Sequence, residues 1–475
     1  MVDFITKNTL LIYKSFPVFL ITFIFLTSLI FVNSNISLII LSTFYLILLN
    51  LKLKNLESVI FLSFIATLPF TKGKTFELVL LQFDQVKTFS AALYDIEYLF
   101  PIYISDVFLF LLIWVIIRKN DFLRNIKSIK LTSIEYSLIA FLILVIISGS
   151  LAIIPLVPLL SSFQLLKMLA LIIIPSLLVK KPKIDELQQL FVASILFQFL
   201  IVSIQKITNG PIGIYIESVL FKSEFGTIAN EISGLSRFSG SFFEPSILGT
   251  FLLLSCPFIF QSFKKTKNKN KKIMFLITIF AIIFSVFATG SRGIYLIFFL
   301  YLFFKEKNFF FQKIKETKPI ILFVICLIIF SPYLLTRLYD FGNLFSRFGS
   351  GTYRLQMFKE SINLAVENPL GVGLDLSPYS FGTKKLPRET IFDPAHPHNI
   401  FFQVLAETGF LGLIIFGYFI ISVFKKIPNS KNNPFFISIL LFLASAQIYP
   451  IFINQIEILS FLFLLIGLSK VYKKI

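Results

Sequence analysis

The sequence predicts an all-α fold, a polytopic membrane helix bundle of about 12–14 spans carrying one large outer helical loop. Three observations lead there. Of the 475 residues, 56% are hydrophobic and only 15% charged, and the mean hydropathy is +0.86, a balance that soluble domains do not have. The apolar residues gather in long runs without period-2 alternation, which selects helical spans over barrel strands. Basic residues fall between the runs on alternate sides, as the positive-inside rule requires.

Taken in order, the spans fall near 15–32, 35–51, 56–70, 105–117, 133–153, 158–179, 188–207, 245–263, 273–290, 293–304, 319–335, 399–424, 435–449 and 452–469. The runs 56–70 and 293–304 are short beside the roughly 20 residues of a full crossing. No small-residue cleavage site follows the first run, so it reads as a retained helix. The chain divides into three parts. Residues 1–335 hold the N-terminal spans with outer loops at 71–104 and 208–244, residues 336–398 form the outer loop domain, and residues 399–475 hold the C-terminal spans. Cys256 and Cys326 both lie inside apolar runs and read as small core residues, neither a disulfide nor a metal pair.

With the N-terminus in the cytoplasm, the inside segments hold 29 of the 44 basic residues and the outside segments 13. That asymmetry supports the orientation, with both termini cytoplasmic. The run 264–272, with six lysines, is the clearest inside loop. The net charge of +19 is thereby a topology signal plus attraction to anionic lipid, and nucleic acid is not implied.

Residue type adds to this. Of the eight arginines only Arg118 and Arg124 are inside, whereas Arg237, Arg292, Arg337, Arg347, Arg354 and Arg388 fall on the outer side. Lysine serves as the general cytoplasmic cation; the outer face prefers the planar fork that grips phosphate in two places at once. Such a group at a membrane surface points to a lipid-borne phosphate or diphosphate, the plainer alternative being loop arginines paired with nearby acids. Arg292 interrupts two apolar runs in Thr289-Gly-Ser-Arg-Gly293, where a cation is costly and faces a partner or an aqueous cavity unless it snorkels. Arg237 sits beside Ser239, Gly240 and Ser241, small residues that allow close approach to the backbone, and Pro245 suits the first turn of the helix that follows. Arg354 opens an amphipathic helix over 353–368, expected to turn Leu355, Phe358, Ile362 and Ala365 toward the bundle and to stop at Pro369.

Both histidines of the chain, His396 and His398, lie just before the span at 399–424. Asn399 is a plausible N-cap, which leaves His398 at a helix N-terminus. The partial positive charge there favours a neutral ring able to accept a proton. His396 is equally exposed to this reading but carries no motif. Glu407, nine residues after His398, falls on roughly the opposite helical face and at that depth needs a partner. Glu244 and Asp106 are further candidate acids that the sequence does not rank. No Gly-rich phosphate loop, Cys/His metal cluster or Ser-His-Asp spacing is present.

Arg292-x3-Leu296 and His398-x10-Gly409 resemble the paired signatures of the O-antigen ligases. Arg237-x2-Gly240-x-Phe242-x2-Pro245, and Tyr353-Arg354 leading into Asn368-Pro-Leu-Gly-Val-Gly373, resemble the wider O-antigen ligase and polymerase family. The resemblance is strongest over 230–415. It implies a metal-independent membrane glycosyltransferase in a bacterial inner membrane, with its active site on the periplasmic side, engaged in lipopolysaccharide or other polysaccharide biosynthesis. The donor would be a glycan on undecaprenyl diphosphate. The acceptor would be the lipid A-core for a ligase, or another lipid-linked sugar for a repeat-unit polymerase. In this reading His398 is the catalytic base, and Arg237, Arg292 and Arg354 bind the diphosphate. The family usually carries about twelve spans, which leaves residues 1–70 without a family role. A transporter of the same lipid-linked sugar would also need many spans and cationic residues. It would however show internal repeats and cations along a path, and the sequence shows neither.

Overall fold

A computed structural model describes residues 17–31, 35–70, 73–82, 95–118, 130–208, 212, 229–230, 235–242, 244–305, 350–383, 396–427, 433–449 and 455–472. The helices, in order, are α1 Pro17–Ile30, α2 Asn35–Leu53, α3 Leu56–Thr67, α4 Ile104–Ile117, α5 Ser133–Ser150, α6 Leu156–Leu177, α7 Ile184–Thr208, α8 Pro245–Lys265, α9 Lys269–Ala288 and α10 Arg292–Lys305. They continue as α11 Ser350–Glu367, α12 Ser377–Thr383, α13 Ile400–Lys426, α14 Pro434–Ala446 and α15 Ile456–Val471. Thirteen of the fourteen expected spans match a helix here, and the run 319–335 lies outside the described residues, as do Cys326, Arg337, Arg347 and Arg388. Six helices (α5 to α9 and α13) are long and apolar enough to cross a membrane, and shorter apolar helices accompany them. Their outward faces carry large apolar side chains, for example Ile143, Ile146 and Ile147 on α5 and Ile414, Tyr418 and Ile421 on α13. Such a belt is what lipid covers. The chain is an integral membrane protein.

Local chemistry explains where several helices begin. Thr132 and Glu135 form the capping box of α5, the Glu135 carboxylate accepting from the Thr132 backbone N–H at 2.7 Å. Asn55 caps α3 and accepts from the Ser58 N–H at 2.9 Å. The first N–H groups of α1 find Gln189 on α7, whose Oε1 accepts from Val18 at 3.1 Å. That bond ties the N-terminal hairpin to the bundle. Pro245 begins α8 at the first helical position, as its fixed φ allows.

Helix α8 is the axis of the bundle, buried along nearly its whole length from Pro245 to Phe263. It packs against α7, α9, α10, α14 and α15. A helix buried all round must satisfy its own polar groups, and Thr250, Ser255 and Ser262 donate back to carbonyls four residues earlier. Gly249 lets α10 close in, since a Cβ there would come within 2.7 Å of the Ile294 side chain.

Two features depart from expectation. The segment 71–104, expected as a loop, contains an antiparallel ribbon, β1 Gly73–Gln82 paired with β2 Asp95–Tyr103, leading directly into α4. A second, two-residue pairing joins β3 Ala229–Asn230 to β4 Leu235–Ser236. In α11 the buried face is Met357, Ser361, Leu364 and Ala365, while Leu355 and Ile362 point outward. Apolar residues occupy two stripes of this helix, and the stripe with smaller residues and Met357 is the one that packs on α13 beside Ala406.

Candidate functional site

Four elements meet at the C-terminal end of α14. From the α9–α10 turn, Ser291 Oγ hydrogen-bonds the Tyr449 hydroxyl. Gly293 packs so closely that a Cβ would lie 2.8 Å from that same hydroxyl. From the segment before α8, the Arg237 Nε donates to the Thr289 carbonyl at 3.0 Å, and the Phe238 N–H donates to Ala288. The turn that receives them needs Gly290, at φ 59°, because its Cβ would strike the Arg237 side chain at 2.9 Å. From the segment before α13, Asn399 caps the helix by accepting from Phe401 and Phe402, and its Nδ2 donates to Gln447 Oε1 at 2.8 Å.

Arg354, on α11, closes the group. Burial is the first influence on its guanidinium and pushes its pKa down; Tyr449 works upward and Arg292 downward. Arg292, Arg354 and Tyr449 are therefore within electrostatic reach of one another. Arg237 adjoins them through Thr289, three residues before Arg292. The three arginines singled out from the sequence thus lie around one helix end, although they come from positions 237, 292 and 354.

His398 lies at the same helix end. Its pKa is lowered from 6.5 to about 4, by burial first and then by Arg354, while the Ile448 backbone opposes the shift. Its Nδ1 is buried and has no hydrogen-bond partner among the described residues. The ring stands edge-on to Tyr353, with centroids 6.5 Å apart. The expectation of a neutral imidazole is met, but its main cause is burial, with the neighbouring cation second.

His396, two residues earlier, has the opposite environment. Its Nε2 faces Asp375 Oδ1 at 3.1 Å and its Nδ1 faces Glu407 Oε1 at 3.2 Å. Ser377 donates to the same Glu407 oxygen at 2.7 Å, and Gln403 Nε2 reaches it at 3.2 Å. Burial alone would lower the pKa of this ring, but hydrogen bonds and charge from Asp375 and Glu407 override it and raise the value to about 10. Two histidines in one short loop are thus held in opposite protonation states at neutral pH. Glu407 has the partner that its depth demanded. Asp375, Ser377 and Gln403 escaped the sequence reading, since their spacings of 21, 19 and 7 residues from His396 match no motif. Asp375, Glu407 and His396 offer ligand-type atoms within 4.8 Å of one another, although the two ring nitrogens face different carboxylates, the geometry of an ion-pair sandwich.

The glycine motif after α11 locks onto α13. Gly409 interrupts α13 with φ 69° and ψ −170°, a conformation reserved for glycine. The carbonyls of Ala406 and Glu407, freed by the break, accept instead from the N–H groups of Val372 and Gly373 at 3.1 and 3.0 Å. A Cβ on Gly409 would sit 1.9 Å from the Pro369 carbonyl oxygen, and one on Gly371 would sit 2.3 Å from Glu407. Phe358 stacks on Phe402 at 4.4 Å and completes the contact of α11 with α13. Glu244 and Asp106 stand apart from this. Glu244 precedes α8 and accepts from Ser246 at 2.9 Å, and Asp106 pairs with Lys167 at 2.5 Å.

Residues 277–417 match the family model described as O-antigen ligase. Over that segment, 141 of the 475 residues, the chain is similar to the O-antigen ligases. The matched segment runs from α9 to α13 and contains Arg292, Arg354, His396 and His398, while Arg237 and Tyr449 approach it from outside. No curated protein gives a significant match to the chain. The family is one of glycosyltransferase-like enzymes with lipid-linked glycan substrates in the membrane. The matched segment thus holds part of the site described above, and residues outside it supply the rest.

Proposed function

We propose that this protein is an O-antigen ligase of the inner membrane, transferring a glycan from undecaprenyl diphosphate to a sugar hydroxyl of the lipid A-core on the periplasmic side. The observation that carries the reading is the gathering of Arg237, Arg292 and Arg354 beside a neutral, buried His398 whose Nδ1 is unpartnered. A diphosphate is a good leaving group once its charge is met, and guanidinium forks meet it without requiring a metal. The acceptor hydroxyl attacks the anomeric carbon of the donor sugar. The bond from that carbon to the diphosphate oxygen breaks, the carrier diphosphate leaves with the electron pair, and the hydroxyl proton passes to His398. Donor binding and proton transfer reinforce each other. The free site holds His398 at a low pKa partly through Arg354, and an arriving diphosphate offsets that cation and makes the ring a stronger base.

A repeat-unit polymerase would use the same donor chemistry with a second lipid-linked sugar as acceptor. The experiment that tests the proposal is incubation of the purified chain, in lipid bilayers, with an undecaprenyl-diphosphate glycan and lipid A-core. New glycosidic bonds to the core support the ligase. Bonds formed only between lipid-linked units select the polymerase, and no bond to either acceptor overturns the transferase reading.

A further inference from the structure

We propose that His396, wedged between the carboxylates of Asp375 and Glu407, is the positioning residue that fixes His398 against α13. The inference builds on the transferase reading and assigns a role to the one histidine that this reading leaves unused. The groups facing the ring are Asp375 from the segment after α11, Ser377 at the start of α12, and Glu407 and Gln403 from α13. His398 follows on its own segment, with Arg354 beyond it.

The geometry makes the tie specific. Residue 396 is joined to residue 398 only through Pro397, whose fixed φ transmits position with little slack. On one side the imidazole holds Asp375, a residue at φ 68° two positions beyond Gly373. On the other it holds Glu407, whose own carbonyl receives the Gly373 N–H at the break in α13. Loop, histidine segment and helix are thus pinned at one point, fully buried at Glu407. A neutral ring can donate to only one of the two carboxylates, so it would turn a nitrogen lone pair toward an oxygen of the other, a costly arrangement. An imidazolium serves both. The high pKa of His396 agrees with that geometry. The clamp therefore works through charge and is indifferent to pH across the neutral range.

Because the chain has only two histidines, one measurement on the whole protein separates the possibilities. The chain, labelled with ¹⁵N and ¹³C at histidine and held in lipid nanodiscs, is followed by NMR from pH 6 to 9. One doubly protonated imidazole is expected throughout, absent in His396→Gln, together with one neutral ring. A His396 resonance that titrates near its ordinary value of about 6.5 overturns the clamp. The second arm is glycan transfer by Glu407→Gln. With one anion removed and burial unchanged, the His396 pKa falls, so the imidazolium survives at low pH and is lost as pH rises through the new value. Transfer near wild-type at pH 6 that drops at least about tenfold by pH 9, beside a flat wild-type profile over that range, supports positioning by charge; about tenfold corresponds to 1.4 kcal/mol. A loss of the same size at every pH, or none, overturns it. A wild-type chain without transfer overturns the proposed function instead, and the His396 resonance then still decides the clamp alone.

Discussion

The opposite protonation of the two histidines leads to a prediction about rate and pH that follows from the site's electrostatics. In the proposed reaction His398 must be unprotonated to accept the acceptor's proton, so transfer is expected to be lost as pH falls through its pKa. In the free protein that value is about 4, held down by burial and by Arg354. The limb in kcat/KM, which reports the free protein, is expected near pH 4. The limb in kcat reports the donor complex. There a negative charge roughly 6 Å from the ring contributes about 2–3 kcal/mol at an effective dielectric of about 20, or about two pKa units. The kcat limb should accordingly lie about one to two units above the kcat/KM limb, still below the ordinary histidine value of about 6.5. Arg354→Gln removes the second cause and leaves the first, so it should raise the kcat/KM limb while keeping it below the unperturbed value. The assay is initial-rate transfer in liposomes from pH 3.5 to 8, at saturating and at limiting donor. Coincident limbs, a kcat limb below the kcat/KM limb, or a free-protein limb near 6.5 would each refute the reasoning.

Other substitutions test the remaining parts. Arg237→Lys keeps the charge but loses the fork and the Nε bond to Thr289; steady-state transfer should fall about tenfold to a hundredfold, as expected for one charge-assisted hydrogen bond of about 1.5–3 kcal/mol. Tyr449→Phe retains the ring but removes the hydroxyl bonded to Ser291, so transfer should drop by about fivefold to tenfold, the effect of a hydrogen bond worth about 1 kcal/mol. Gly409→Ala forces a side chain into a glycine-only conformation against the Pro369 carbonyl; thermal unfolding in detergent should show a loss of at least about 1–3 kcal/mol from backbone strain alone. His396 contributes stability that is complete below pH 6.5 and lost as pH rises through about 10. His398 contributes stability present above 6.5 and lost as pH falls toward about 4. Thermal midpoints measured across pH in Glu407→Gln should decline on the alkaline side at lower pH than in the wild type.

Much of this was legible in the sequence because it was local. Hydrophobic runs gave the helices, Pro245 suited the first turn of α8, and the arginines stood out by type. Asn399 was readable as a cap for the same reason. What escaped depended on contacts distant in the chain. The β1–β2 ribbon is held by pairing between two segments rather than by a periodic apolar face. On α11 two apolar stripes compete, and packing against Ala406 chooses between them. Tyr449 gains its role only from the approach of Ser291 and Gly293, about 158 residues earlier. His396 looked like a spare loop histidine because nothing local reveals that Asp375 and Glu407 close on it from opposite sides.

The measurement that bears most directly on the account uses His398→Ala, with donor binding and transfer followed in the same liposome preparation. If the guanidinium groups hold the diphosphate and the ring takes the proton, the variant binds undecaprenyl-diphosphate glycan within about threefold of wild type and loses about 10²–10⁴ in transfer rate. Transfer at the wild-type rate, or donor binding lost along with it, would contradict the division of labour between the arginines and the histidine.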